Sequence, residues 1–129
     1  MNDKLLSGRR VLVVEDEMLV LMNIEDMLAD LGCESVTAAA TVDQAMALIE
    51  AQVFDAAMLD MNLNGTKSFP VADKLAALGV PFVFSTGYSA QDMRAGYGDR
   101  ALLRKPIRYQ ELVEVFTHLL SGSSGGHRG

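Results

Sequence analysis

The chain has 129 residues, half of them hydrophobic and 22% charged, with 17 acidic against 11 basic residues and a formal net charge of −6. Such a composition supports a packed core and excludes a disordered chain, and a single cysteine, Cys33, excludes an internal disulfide scaffold and fits a reducing compartment. An acidic chain (pI about 4.7) without a Lys/Arg cluster lacks the electrostatic footprint of nucleic-acid binding, and charges interrupt every apolar run before it could span a bilayer. The expectation is one soluble, cytoplasmic domain with no signal-peptide pattern at its start. Neither nucleic acid nor membrane is expected as a partner.

Five short runs rich in β-branched residues alternate with five helical stretches. Strand Arg10–Val14 comes first, then helix Glu17–Leu31, whose apolar face (Val20, Ile24, Met27, Leu28, Leu31) recurs at helical spacing and ends at Gly32. Strand Cys33–Ala38 follows, then helix Val42–Ala51 with Thr41 as N-cap. Strand Ala56–Asp60 leads to helix Phe69–Leu78, with Pro70 in its first turn and Gly79 just past its end. Strand Val80–Ser85, helix Ala90–Ala95, strand Ala101–Leu103 and helix Tyr109–Leu120 complete the pattern. Residues 1–8 form an N-terminal segment, 9–121 a single domain, and the Gly/Ser-rich 122–129 a flexible tail. This alternation predicts an α/β fold, a parallel sheet covered on both faces. Continuous apolar runs such as Val11–Val14 suit strands buried on both sides.

In such sheets ligands bind beyond the carboxyl ends of the strands. Those ends carry Glu15-Asp16, Asp60, Ser85-Thr86 and Leu103-Arg104-Lys105-Pro106. Three carboxylates, a hydroxyl and an ammonium therefore collect on one edge. Converging acids repel one another unless a cation sits among them, and hard oxygen ligands suit Mg2+. A hydroxyl and a lysine beside the metal suit phosphoryl oxygens, and a carboxylate can act as the nucleophile. The chemistry indicated is Mg2+-dependent phosphoryl transfer to an aspartate, without saying which one. The competing reading is that Glu15 and Asp16 merely cap the following helix.

Across residues 8–121 the sequence resembles the receiver domain of two-component response regulators. The motifs are VLVVEDE (Val11–Glu17), MLDMNLNG (Met58–Gly65), FSTGY (Phe84–Tyr88) and LRKP (Leu103–Pro106), in that order. The resemblance implies a flavodoxin-like, doubly wound five-stranded parallel sheet of strand order 2-1-3-4-5. It implies that Asp60 accepts a phosphoryl group from a phosphohistidine of a sensor histidine kinase or histidine phosphotransfer protein. Glu15, Asp16, Asp60 and the backbone carbonyl of Asn62 would hold Mg2+. Thr86 and Lys105 would bind the phosphoryl oxygens, and Lys105-Pro106 would be a cis peptide. Such a module is a phosphoacceptor with its own phosphorylation and dephosphorylation chemistry rather than an enzyme.

FSTGY resembles the FAT GUY subgroup of small regulators, with Ser85 for alanine. Family members commonly carry an aromatic where this chain has Leu102, so the switch would pass through other residues such as Tyr88 or Tyr109. Asn62 and Tyr88 would flank the path of a hydrolytic water. Met18, Leu21 and Met22 add apolar surface on helix one beyond its core face, a candidate docking face for a kinase helix pair, against a reading as scattered surface hydrophobes; Tyr88, Leu102 and Tyr109 are further candidates for partner docking. With no output domain after residue 121, the expectation is a stand-alone regulator, a monomer or weak phosphorylation-dependent dimer, signalling by protein contacts or acting as a phosphate sink. The alternatives are a degenerate receiver serving as a constitutive binding module and a small Mg2+-dependent aspartyl-phosphate phosphatase.

Overall fold

The computed structural model describes residues 4–87 and 102–125. The expected helix Ala90–Ala95, together with Tyr88 and Ala101, lies outside them. In chain order the elements are β1 (Arg10–Val14), α1 (Met18–Asp30), β2 (Ser35–Ala39), α2 (Val42–Ala51), β3 (Ala56–Asp60), β4 (Asn62–Leu63), β5 (Thr66–Lys67), α3 (Phe69–Leu78), β6 (Phe82–Thr86), β7 (Leu102–Arg104) and α4 (Tyr109–Gly125).

Five strands form one sheet in the order β2-β1-β3-β6-β7, every neighbouring pair parallel. With the small β4–β5 hairpin left out, this is the flavodoxin-like 2-1-3-4-5 order. From β1 the chain steps outward to β2, then crosses back over β1 to β3. Connections therefore leave β1 and β3 in opposite directions, which opens a crevice at the carboxyl ends of this pair. Register sets its walls, with Val14 opposite Leu59 and Asp60 opposite Ser85.

Because β1, β3 and β6 are buried on both faces, alternate residues serve two cores. Val11, Val13, Met58, Val83 and Leu103 pack with Ile24 and Leu28 of α1 and Leu112 and Phe116 of α4. Leu12, Val14, Leu59, Phe82 and Phe84 pack with Ile49 of α2 and Val71 and Leu75 of α3. Each such side chain contributes roughly 1.5–3 kcal/mol on burial. Phe84 also meets Phe69 and Phe82 edge-on at centroid distances of 5.7 and 5.6 Å, the preferred aromatic geometry.

Local chemistry explains most boundaries. The Thr41 hydroxyl accepts from Gln44 N at 3.1 Å while Gln44 Oε1 accepts from Ala40 N at 2.8 Å, a reciprocal cap on α2. Gly79 ends α3 in the left-handed conformation. Among the stretches that depart from the sequence expectation, β6 spans Phe82–Thr86 rather than Val80–Ser85. Cys33 precedes β2 rather than opening it; it bridges Ser7, and its half-buried thiol donates to the carbonyls of Ser35 and Arg9. That bridge docks the N-terminal segment, where Leu6 is fully buried. The α4 backbone runs to Gly125, past the expected end at Leu120. Serine and glycine are poor helix formers, so the extra turn propagates from the one anchored by buried Leu120. Finally, Asn62–Lys67, between the expected third strand and third helix, forms the β4–β5 hairpin. Its turn residues Asn64 (φ 56°) and Gly65 (φ 92°) take the positive dihedrals that a two-residue hairpin requires.

Candidate functional site

Glu15 follows β1 directly, and its backbone N–H donates to Ala39 O at 2.9 Å. Asp60 is the last residue of β3, and the N–H of Met61 donates to Ser85 O at 2.9 Å. Lys105 follows β7, its N–H donating to Thr86 O at 2.9 Å. Each of these residues is thus tied by its backbone, or by its neighbour's, to the end of an adjoining strand. The Lys105-Pro106 peptide is cis, as the family pattern implies.

Side chains from these strand ends converge. Lys105 Nζ lies 3.0 Å from Asp60 Oδ2, 3.1 Å from Glu15 Oε2 and 3.1 Å from Glu17 Oε1. Carboxylate oxygens of Glu15, Asp16 and Asp60 lie within 4.8 Å of one another. Asp60 Oδ1 accepts from Asn62 N at 3.2 Å, and Glu15 Oε2 accepts from Glu17 N at 3.0 Å. Asp16, Glu17, Asp60, Asn62, Asn64, Gly65, Gly87 and Lys105 line an open cleft of about 480 Å³.

Burial sets the electrostatics. Glu15 is 2% exposed and Asp60 5%. Burial pushes the Glu15 carboxyl up to about 7, with the Asp60 charge adding to the rise and the Glu17 N–H and Lys105 opposing it. Burial likewise raises the Asp60 carboxyl, against the pull of Lys105. For Lys105 burial acts to lower the ammonium, but its bonds to Asp60 and Glu15 and the Asp60 charge outweigh that and hold it above the usual lysine value. The cation is secure; the anions are under-compensated.

That shortfall tests whether the site suits a metal. Three carboxylates meet one ammonium, with Asp16 grouped beside Glu15 and Asp60, and Glu15 Oε1 is buried without a hydrogen-bond donor, although it sits 3.1 Å from Lys105 Nζ. A buried acceptor with unmet capacity beside two further carboxylates fits a hard, oxygen-preferring divalent cation. As for the helix-capping reading, the N-cap of α1 is Glu17, whose own side chain makes no capping bond, while Glu15 Oε2 accepts from its N–H.

Of the residues singled out from the sequence, Glu15, Asp16, Asp60 and Lys105 come together. Thr86 ends β6 beside them but is buried and does not line the cleft. Asn62 joins through its N–H to Asp60, while its side-chain oxygen accepts from Gly65 N at 2.9 Å. Met18 and Met22 are exposed on α1, whereas Leu21 is half-buried against the α1/α4 core. Leu102 is likewise half-buried, against the α2/α3 core. The exposed ring of Tyr109 donates its hydroxyl to Asp30 Oδ2 at 2.8 Å. Two residues escaped sequence reasoning. Leu19, 81% exposed, was hidden inside an apolar run. Glu17 entered the sequence reading as the start of a helix and the end of the VLVVEDE motif, with no role at the site.

Comparison with known proteins agrees with this geometry. The family described as response regulator receiver domain matches residues 11–117. Over 109 residues the chain is 32% identical to the transcriptional regulatory protein PdtaR of Mycobacterium tuberculosis, a match covering 81% of this chain and 53% of PdtaR. The chain thus spans about half the length of the curated relatives it matches. The solution structure of SdrG from Sphingomonas melonis Fr1 is 40% identical with a TM-score of 0.79, covering 93% of this chain and 99% of that one. The BeF3-activated conformation of SdrG from Pseudomonas melonis Fr1 is 41% identical with a TM-score of 0.77, covering 88% and 98%. No helix among the described residues is long and apolar enough to cross a membrane.

Proposed function

The chain belongs to the response regulator receiver domain family, and on that premise we propose that it accepts a phosphoryl group on Asp60 from a phosphohistidine of a sensor histidine kinase or histidine phosphotransfer protein in the cytoplasm. The observation that carries this reading is the convergence of Lys105 Nζ on Asp60 Oδ2 at 3.0 Å within the acid-lined cleft. An oxygen of the Asp60 carboxylate attacks phosphorus, the P–N bond breaks, and its electron pair leaves with the imidazole nitrogen, which takes up a proton. The product is an acyl phosphate. Lys105, held firmly cationic, donates to a phosphoryl oxygen as charge builds there. Thr86 supplies the second donor and, by engaging the phosphoryl group, biases a two-state equilibrium of the β6–β7 edge.

Glu15, Asp16, Asp60 and the Asn62 carbonyl are the residues that would hold Mg2+, which when bound neutralises the acids and polarises the phosphoryl oxygens. A phosphatase reading finds less support. Such an enzyme wants an acid two residues beyond the nucleophile, and Asn62 there is amidic, its side-chain oxygen engaged by Gly65 N. Exposed Met18, Leu19 and Met22 on α1 form an adaptable apolar face close to the cleft, suited to docking a kinase helix pair. That SdrG has a BeF3-activated conformation supports the chemistry, because beryllofluoride mimics a phosphoryl group on a carboxylate.

The test is intact mass after incubation with Mg2+ and acetyl phosphate. One phosphoryl adduct, dependent on Mg2+ and lost in Asp60→Asn, is the expected result. An adduct that persists in Asp60→Asn overturns the assignment.

A further inference from the structure

Lys105 has three N–H donors, and three carboxylates take them: Asp60 at 3.0 Å, Glu15 at 3.1 Å and Glu17 at 3.1 Å. A phosphoryl oxygen on Asp60 can be bound by this ammonium only if one of those bonds yields. The Glu15 side chain is 1% exposed and already has an oxygen without a donor, so losing Lys105 would leave a buried charge unpaired. Asp60 carries the incoming group itself. The Glu17 side chain is 61% exposed, and water replaces a lost partner there at little cost.

Its position sharpens the contrast. Glu17 is the N-cap of α1, where a short polar side chain normally accepts a helix N–H, yet its carboxylate makes no such bond and reaches Lys105 instead. It also lines the cleft with Asp60 and Lys105, where any phosphodonor must enter.

We infer that Glu17 is a positioning residue that holds Lys105 in the place of the absent phosphoryl group and is displaced on phosphorylation, so that it weakens the site's grip on an anionic phosphodonor. This rests on the phosphoacceptor function proposed above. Glu17 touches neither the reacting oxygen nor phosphorus; it acts through Lys105.

The experiment compares wild type with Glu17→Gln, which keeps the size and removes the charge, and Glu17→Asp, which keeps the charge but is one methylene shorter. Acetyl phosphate is titrated at saturating Mg2+, so that a P–O bond forms at Asp60 as the bond to acetate breaks and acetate leaves with its electron pair. In Glu17→Gln the half-saturating donor concentration should fall about two- to fivefold with the maximal rate little changed, the range expected for removing one exposed ion pair. Glu17→Asp should shift in the same direction, because charge without reach does not hold Lys105. Beryllofluoride affinity, read by thermal shift at fixed Mg2+, should tighten in parallel and supplies a readout independent of turnover. Unchanged half-saturation in Glu17→Gln, or wild-type behaviour of Glu17→Asp, overturns the inference while leaving the phosphoacceptor function intact. A wild type that takes no adduct overturns both.

Discussion

The two ends of the central sheet teach different lessons. Beyond the amino ends of β1, β3 and β6 lies the larger depression, about 700 Å³, lined by Arg10, Ile49, Glu50, Ala51, Gln52, Val53, Phe54, Leu75, Leu78 and Val80. Beyond the carboxyl ends lies the smaller one, about 480 Å³. The larger cleft is mostly apolar wall with Arg10 and Glu50 at its margin. The smaller one gathers buried Glu15 and Asp60 on a single ammonium; burial raises both carboxyls, and their bonds to Lys105 raise the ammonium against its own burial. Volume does not mark the proposed site; converging, under-compensated charge does.

This contrast is open to attack from either end. The largest effect belongs to Lys105→Met, which removes the ammonium poised on Asp60. Phosphorylation by acetyl phosphate should slow about a hundredfold or more, the usual consequence of losing a donor to developing phosphoryl charge. A rate within a few-fold of wild type would mean that the convergence on Lys105 is only structural. At the other end Leu75→Ala, fully buried in the α2/α3 core, should lower unfolding free energy in urea by about 2–5 kcal/mol, while the folded protein still forms one adduct.

Metal addition comes next. Mg2+ at about ten times its dissociation constant should stabilise the protein by about 1.4 kcal/mol, raising the melting temperature by several degrees. Asp16→Asn should abolish most of that gain, whereas Leu78→Ser, at the amino-end cleft, should leave it untouched. The same Leu78→Ser change is expected to move stability by no more than about 0.5 kcal/mol. A large loss of phosphorylation there would break the assignment of function to the carboxyl end.

Much of this could be read from the chain. The bounds of β1, α2, β3 and α3 agree with the sequence reading, because period, punctuation and burial pattern all pointed the same way. Glu15, Asp16, Asp60 and Lys105 were legible because strand ends in a parallel sheet share one edge. The β4–β5 hairpin was missed although Asn64-Gly65 is its strongest local signal; two-residue strands are too short to show alternation. Expecting β6 from Val80 overlooked Pro81, whose missing N–H keeps it out of a central strand, and the strand begins at Phe82. Glu17 was beyond reach for a different reason. Its side chain chooses Lys105, distant in sequence, over the helix end beside it, and nothing local reports that choice.

The central claim is that Asp60 is the nucleophile, and the most direct measurement is to reduce the acetyl-phosphate-treated protein with borohydride and map the product by peptide mass spectrometry. An aspartyl phosphate is converted to homoserine, which marks the residue that carried it. The account predicts homoserine at position 60 alone, and only when Mg2+ was present. Homoserine elsewhere, or none in a protein that has gained a phosphoryl group, would contradict it.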